Sequence, residues 1–197
     1  MSYIHLFYLL FLNLNFSGKP LPEKPVINIE PKTIVLIREE DEEHIPWTDT
    51  RRLSWEDFLC SPKTNSDAVA STSTSLGIAY QLQRGRLNYS ITCNFSKQKS
   101  WGLLKTNYIL AHEQGHFDIT EIYARKLYKA LQEYQFNRKT FRSDINEIYK
   151  TIVKEKEDLQ AAYDGESDHS RNRKLQFEWL ERIDQLLEET APYAAYP

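Results

Sequence analysis

The sequence predicts an α+β fold in which a small antiparallel sheet from the N-terminal half packs on a helical C-terminal half. Two observations lead to this prediction. Residues 53–101 are rich in Ser and Thr and carry apolar side chains at alternate positions, as expected for strands with one buried face. After Trp101, apolar residues recur every three to four positions, as expected for amphipathic helices.

The clearest strand signal is a hairpin. Residues 87–95 read LNYSITCNF, with apolar side chains at every second position, and the turn sequence Arg84-Gly85-Arg86 precedes them. The run 76–83 on the other side of this turn is predicted to be the partner strand. Further strands are predicted at 26–29, 33–37 and 68–74.

Three helices are predicted in the second half of the chain, at about 104–134, 141–162 and 172–189. The first carries one apolar stripe that includes His112 and His116, so both histidines are expected to point into the fold. The polar stretch YDGESDHSRN, at 163–172, is predicted to be a loop between the second and third helices.

The N-terminus has the features of an export signal. Residues 4–16 are apolar and uncharged, a run too short to span a bilayer and typical of a signal peptide. We therefore expect a signal peptide at 1–18, a Pro-rich and acidic lead-in at 19–52, and a single α+β domain at 53–197. The expected location is periplasmic or extracellular, without a stable membrane span once the signal is removed.

Charge and cysteine content restrict the partners and the redox state only partly. The chain has 25 Lys and Arg against 28 Asp and Glu. This balance argues against nucleic acid as the main partner, because nucleic acid requires a basic face. Cys60 and Cys93 are compatible with one disulfide in an exported protein or with two separate thiols. The sequence leaves that choice open, as it does the oligomeric state.

Residues 110–127, LAHEQGHFDITEIYARKL, contain the H-E-x-x-H motif, formed by His112, Glu113 and His116. Histidines four residues apart lie about 40° apart around a helix, so their Nε2 atoms can converge on one zinc ion. Glu113 is rotated by about 100° from His112 and can reach a metal-bound water without coordinating the metal. The motif therefore predicts a zinc site.

Such a site needs a third protein ligand, and the two commonest downstream positions do not supply one. Ile119 and Ile122 stand where a metzincin would have its Gly and next His. A carboxylate about twenty residues downstream, as in thermolysin-like enzymes, is missing as well, because Phe136 occupies that region. The third ligand must therefore come from elsewhere in the chain.

Two candidates for the third ligand remain. His169 lies in the predicted polar loop, which can fold back over the first helix. Glu155 interrupts the apolar stripe of the second helix, so it is a ligand, a hydrogen-bond partner of an imidazole, or an edge residue. Asp118 and Glu121 point away from the histidine face.

The order of these motifs resembles a bacterial family of predicted secreted zinc-dependent proteases, classed as a domain of unknown function. Its members show a W-x-x-F box, here Trp55-Glu56-Asp57-Phe58, and an H-E-x-x-H-F-D-I helix, here starting at His112. A Tyr-Asp…Thr-x-His-Gly loop and a Q-x-x-W helix follow, the latter here at Gln176 and Trp179. The similarity extends from about residue 53 onward.

The resemblance implies a zinc protease in which His169 is the third ligand. Two positions of the loop motif depart from the family pattern. Ser167-Asp168-His169-Ser170 stands where the family has Thr-x-His-Gly, and the Ser in place of Gly after the histidine is expected to alter the turn of the loop.

The expected reaction is metal-assisted hydrolysis of a peptide or protein substrate. Zn²⁺ activates a water molecule, and Glu113 takes its proton and delivers it to the leaving amine. Tyr163 is either a hydrogen-bond donor to the tetrahedral oxygen or a core residue. Asp164 is the better candidate for orienting an imidazole, and Asp118 the weaker one. The alternatives are a cell-wall amidase and a non-catalytic binding or scaffold protein that uses the metal only for stability.

Overall fold

The computed structural model describes residues 43–62 and 68–197, and within them the chain has the predicted α+β architecture. The strands and helices follow one another in two blocks, with the strands in the N-terminal half. In chain order they are β1 (His44–Pro46), β2 (Ala70–Ser71), β3 (Thr74–Gln83), β4 (Arg86–Ser96), β5 (Trp101–Gly102), α1 (Asn107–Glu133), α2 (Phe141–Ser167) and α3 (Arg173–Glu189).

The predicted hairpin is confirmed. β3 and β4 pair in antiparallel register, with Ile78 opposite Ile91 and Leu82 opposite Leu87. The turn between them uses two residues with positive φ, Arg84 at 50° and Gly85 at 77°, which matches the twist of the flanking strands. In the main sheet the order is β1-β4-β3, while β2 and β5 form a separate pair.

Part of the predicted lead-in belongs to the folded unit. β1 pairs with the end of β4, and Nε1 of Trp47 donates a hydrogen bond of 2.7 Å to Asp118 on α1. A strand of three residues is too short to show an alternating pattern, so the sequence predicts residues 43–52 as part of the lead-in and not of the domain. The predicted signal peptide and the strands at 26–29 and 33–37 lie outside the described residues.

The three helices are found where the sequence predicts them, with one difference. α1 begins after Thr106, whose hydroxyl accepts a hydrogen bond from the Ile109 amide, and α3 begins after Asn172, which caps it in the same way. α2 continues to Ser167, so Tyr163 and Asp164 are helical and not part of a loop. Burial of Tyr163 and Ser167 against the other helices extends α2 through a sequence that is polar and contains a glycine.

The core lies between the main sheet and α1. Phe95 of β4 contacts Phe117 of α1 at a ring separation of 5.9 Å and Phe58 of the W-x-x-F box at 5.0 Å. Cys93 is buried in this core, and Cys60 does not pair with it, so these two described residues form no disulfide with each other. Among the helices of the described chain, none has the length and apolar character needed to cross a membrane.

Candidate metal centre

Three side chains meet between α1 and α2. Nε2 of His112 lies 3.3 Å from Nε2 of His116, and Oδ1 of Asp164 lies 3.1 Å from each of these nitrogens. The histidines project from successive turns of α1, and the aspartate projects from the last turns of α2. Within the described chain these are the residues whose ligand atoms, all within 4.8 Å of one another, could hold a metal ion.

Two glutamines fix the orientation of the histidine rings. Nε2 of Gln160 donates a hydrogen bond of 2.9 Å to the backbone carbonyl of His116. A carbonyl oxygen only accepts, so the amide orientation is fixed, and Oε1 of Gln160 faces Nδ1 of His116. Nδ1 of His116 must therefore carry the proton.

The same reasoning applies to His112. The hydroxyl of Tyr163 donates to the His112 carbonyl at 3.3 Å and therefore accepts from Nε2 of Gln176 at 3.2 Å. Oε1 of Gln176 then faces Nδ1 of His112 at 2.7 Å, so this nitrogen is also the donor. In the neutral form of each ring, Nε2 is left with the lone pair that a metal requires.

The electrostatics of the cluster fit a cation. Two imidazole nitrogens and a carboxylate oxygen direct electron pairs to one point, which a proton or a metal ion must neutralise. Burial opposes a charged His116, but the hydrogen bond and the negative charge of Asp164, together with the charge of Glu113, outweigh this and raise the pKa of His116. Burial likewise opposes a charged Asp164, yet hydrogen bonds from His112 and His116 hold its pKa well below the usual range. Two histidines with one carboxylate form a donor set that Zn²⁺ uses in catalytic sites.

Glu113 lies beside the cluster but outside it. The residue is 4 % exposed, and its Oε2 has no hydrogen-bond partner among the described residues. Glu113 lines the same cleft as His112 and His116. A buried carboxylate oxygen without a partner is costly, so its retention at this point fits a group that receives a proton.

Tyr163 lies behind the histidines and not in the cleft. Its ring is fully buried, stacks on His112 at 4.6 Å and contacts His116 edge-on at 5.1 Å. Burial raises the pKa of Tyr163 well above its usual value. Of the two roles considered, the geometry matches the core residue, because the hydroxyl bonds His112 and Gln176 and does not face the cleft.

The other candidate residues lie farther from the metal cluster. The side chain of His169 is 60 % exposed, and its Nδ1 is 3.6 Å from Oδ1 of Asp164, so it borders the cluster without belonging to it. Glu155 is exposed on α2. Asp118 is a buried carboxylate that accepts hydrogen bonds from Trp47 at 2.7 Å, Arg52 at 2.7 Å and Gln114 at 2.8 Å. Burial raises its pKa.

The segment that carries His169 has an uncommon backbone. Asp168, His169 and Ser170 have φ values of 50°, 50° and 70°, the left-handed region that favours glycine. The hydroxyl of Tyr108 donates a hydrogen bond of 2.6 Å to the carbonyl of Ser170, which ties this turn to α1. Ser170 therefore adopts a backbone conformation that favours glycine.

The cluster opens into a cleft of about 1310 Å³. One wall is formed by α2, including Gln160 and Asp164, and the opposite wall by the segment 68–74 with β2. Tyr108 and His169 line one part of the cleft, and Lys156 lines another. The ligand cluster is thus accessible to a molecule of substantial size.

Fold and site together define an α+β protein in which two histidines of an H-E-x-x-H helix and an aspartate of the next helix form one cluster. The chain belongs to a bacterial family described as "Bacterial protein of unknown function (DUF922)", whose model matches residues 37–170. That range contains the motif histidines, Glu113, Asp164 and His169, whereas Gln176 lies beyond it. Comparisons with curated proteins and with solved structures gave no match.

Proposed function

We propose that this protein is an exported zinc-dependent hydrolase that cleaves peptide bonds. The observation that supports it best is the position of Glu113, a buried carboxylate whose Oε2 lacks a partner beside a histidine–histidine–aspartate cluster. A site that uses metal only for stability is usually closed by four protein ligands and has no use for such a group.

The residues have separate tasks in the proposed reaction. His112 and His116 bind the metal through Nε2, and Gln176 and Gln160 hold the two rings in that orientation. When bound, Zn²⁺ lowers the pKa of a water molecule and polarises the substrate carbonyl. Glu113 accepts a proton from the attacking water and delivers it to the nitrogen of the leaving amine.

The third ligand is either Asp164 or His169. Asp164 is favoured by its 3.1 Å distances to both imidazole nitrogens, while His169 borders it at 3.6 Å and is implied by the family resemblance. We propose Asp164 as ligand and His169 as its neighbour. Zinc titration of Asp164→Ala and His169→Ala distinguishes the two candidates, because substitution of the true ligand lowers zinc affinity much more than substitution of its neighbour. The reverse ranking would restore His169 as the third ligand.

The decisive variant is Glu113→Gln. Purified protein should contain about one zinc per chain, and Glu113→Gln should keep the zinc and lose cleavage of a mixed peptide library. Glu147→Gln, on the exposed surface of α2, is the matched control and should retain both. Absence of zinc from the purified wild type would refute the proposal. Zinc without any hydrolysis would favour the scaffold alternative, and cleavage of cell-wall amides alone would favour the amidase.

Export is tested separately. Fractionation of cells that express the full chain should find the protein in the periplasm or medium, with its first residues removed near position 18. A chain without residues 1–18 should stay in the cytoplasm. Equal distribution of the two forms would contradict export.

A further inference from the structure

The α2 wall of the cleft carries a lysine that the proposed reaction does not use. Lys156, Gln160 and Asp164 follow at intervals of four residues, so they lie on one face of α2, and all three line the cleft. Lys156 is only 8 % exposed, which is rare for a lysine. Its ammonium group lies 2.8 Å from Oε1 of Glu157, a side chain that is 64 % exposed.

The position of Lys156 along α2 gives a distance scale. Eight residues of helix separate it from Asp164, which corresponds to about 12 Å along the helix axis. An extended peptide advances by about 3.3 Å per residue. A peptide that runs along α2 with its reacting carbonyl at the cluster would therefore reach Lys156 roughly three to four residues from that carbonyl.

The charge of the cleft differs from that of the whole protein. The chain has a net charge of −3, yet cationic side chains outnumber carboxylates among the described residues that line the cleft. The cations are Lys99, Lys156, Arg171 and Arg173, and the carboxylates are Glu113, Glu157 and Asp164. With Arg171 also ion-paired to Asp168, the cleft is close to charge balance in a chain of net charge −3, so it repels an anionic ligand less than an acidic surface would.

The aromatic residues of the cleft favour a peptide over a nucleic acid. Trp101 is buried in the core. The ring of Tyr108 is covered by the guanidinium of Arg173 at 4.8 Å, and its hydroxyl is bonded to Ser170. Trp101 therefore offers no ring face to a base, and Arg173 covers one face of Tyr108, whereas single-stranded nucleic acid binds through bases stacked on open aromatic faces.

We infer that the cleft selects extended peptides with acidic side chains and that Lys156 pairs with a carboxylate about 12 Å from the metal cluster. This inference rests on the proposed function for the reaction and adds its substrate class. Glu157 is 64 % exposed, so its carboxylate can turn into water and a substrate carboxylate can take its place at Lys156. A carboxylate held by the buried ammonium would gain a charge-assisted hydrogen bond.

Peptide binding to the metal-free protein tests the inference. Two capped seven-residue peptides, one alternating Ala with Glu and one alternating Ala with Gln, are titrated and followed by amide NMR shifts. The Glu peptide should bind about tenfold more tightly. Lys156→Gln should abolish that preference, and Lys156→Arg should retain it. Lys154→Gln is the matched control, because Lys154 is 73 % exposed on the same helix and is ion-paired with Asp158.

The outcomes are distinct from those of the zinc experiments. Equal binding of the two peptides, binding of neither, or an unchanged preference in Lys156→Gln would each overturn the inference. An oligothymidylate that binds in place of the Glu peptide would overturn it as well. Because the protein is metal-free, the result does not depend on zinc content or on Glu113, so the proposed function and the acidic preference can fail independently.

Discussion

The ring of Tyr163 lies against the backbone of Gly115. A Cβ at position 115 would stand 2.6 Å from the Tyr163 hydroxyl oxygen and 2.9 Å from Cε1. The same ring stacks on His112, so it forms the back of the metal cluster. Gly115, inside H-E-Q-G-H, is therefore required by packing, because any larger residue would displace the ring that supports both histidines.

Substitution of this glycine should have the opposite effect to substitution of another helical glycine. Gly115→Ala should destabilise the protein by about 1–3 kcal/mol through overpacking and weaken zinc binding, as the histidines shift. Gly165→Ala, in α2 where a Cβ meets nothing within 4 Å, should stabilise by up to about 1 kcal/mol through helix propensity. Denaturant unfolding measures both. A stabilised Gly115→Ala protein would show that Tyr163 can move.

The glutamine contacts predict a loss of metal affinity without a change of ligand. Gln160→Leu removes the acceptor that holds Nδ1 of His116 and the donor to its carbonyl. We expect zinc affinity to fall about 10- to 100-fold, because loss of the partner of a ligating histidine has this effect. Competition with a chelator measures it. Gln81→Leu, on the exposed surface of β3, is the control. Unchanged affinity in Gln160→Leu would mean that the ring needs no such support.

The sequence predicted the parts of the site that depend on local spacing. The 3.6-residue repeat of α1 placed His112, Glu113 and His116 together, and alternation identified the β3–β4 hairpin. Neither signal depends on distant contacts. The end of α2 could not be predicted in the same way, because Tyr-Asp-Gly-Glu-Ser is polar and contains glycine, and burial of Tyr163 against α1 is what keeps it helical.

Because the end of α2 depends on burial against α1, the functions of the residues on α2 were harder to predict from the sequence. The sequence predicts Asp164 in a loop, and from there it indicates only a hydrogen-bond partner of an imidazole. Lys156, Gln160 and Asp164 are four residues apart in the sequence. This spacing places them on one face only because α2 continues past Asp164. The Q-x-x-W motif is the sequence signal for Gln176, but the contact of Gln176 with His112 depends on how α3 packs.

The left-handed turn after α2 predicts a stabilising substitution. Ser170 has a φ of 70°, which costs a residue with a Cβ about 1–2 kcal/mol. Ser170→Gly should therefore raise the free energy of unfolding by up to about 1 kcal/mol, after allowance for the greater chain entropy of glycine. Thermal unfolding measures it, and the midpoint should rise by roughly 2–4 °C. Ser143→Gly, in the right-handed α2 helix, should instead destabilise. A loss of stability in both would show that the Ser170 side chain contributes more than its backbone conformation costs.

The W-x-x-F box predicts part of the acid sensitivity of the fold. Asp57 accepts hydrogen bonds of 2.9 Å from Arg51 and 2.7 Å from the Ser54 amide. Burial alone would raise the pKa of Asp57, but these contacts outweigh it and hold the pKa below its usual value. The pKa of such a carboxyl group is lower in the folded protein than in the unfolded protein, where it is near 4. Its charge therefore stabilises the fold above about pH 4, and this stabilisation is lost as the pH falls through the pKa of the folded protein.

Asp57→Asn should therefore reduce stability at neutral pH, by about 1 kcal/mol, and the difference from wild type should shrink as the pH falls from about 4 to 2. Urea unfolding of both proteins across this range measures the change. Asp184→Asn, on the exposed surface of α3, should show no such convergence. A difference that stayed constant from pH 7 to 2 would mean that Asp57 acts through packing, because the charge of its carboxylate would then contribute nothing to the position of the box against Phe95.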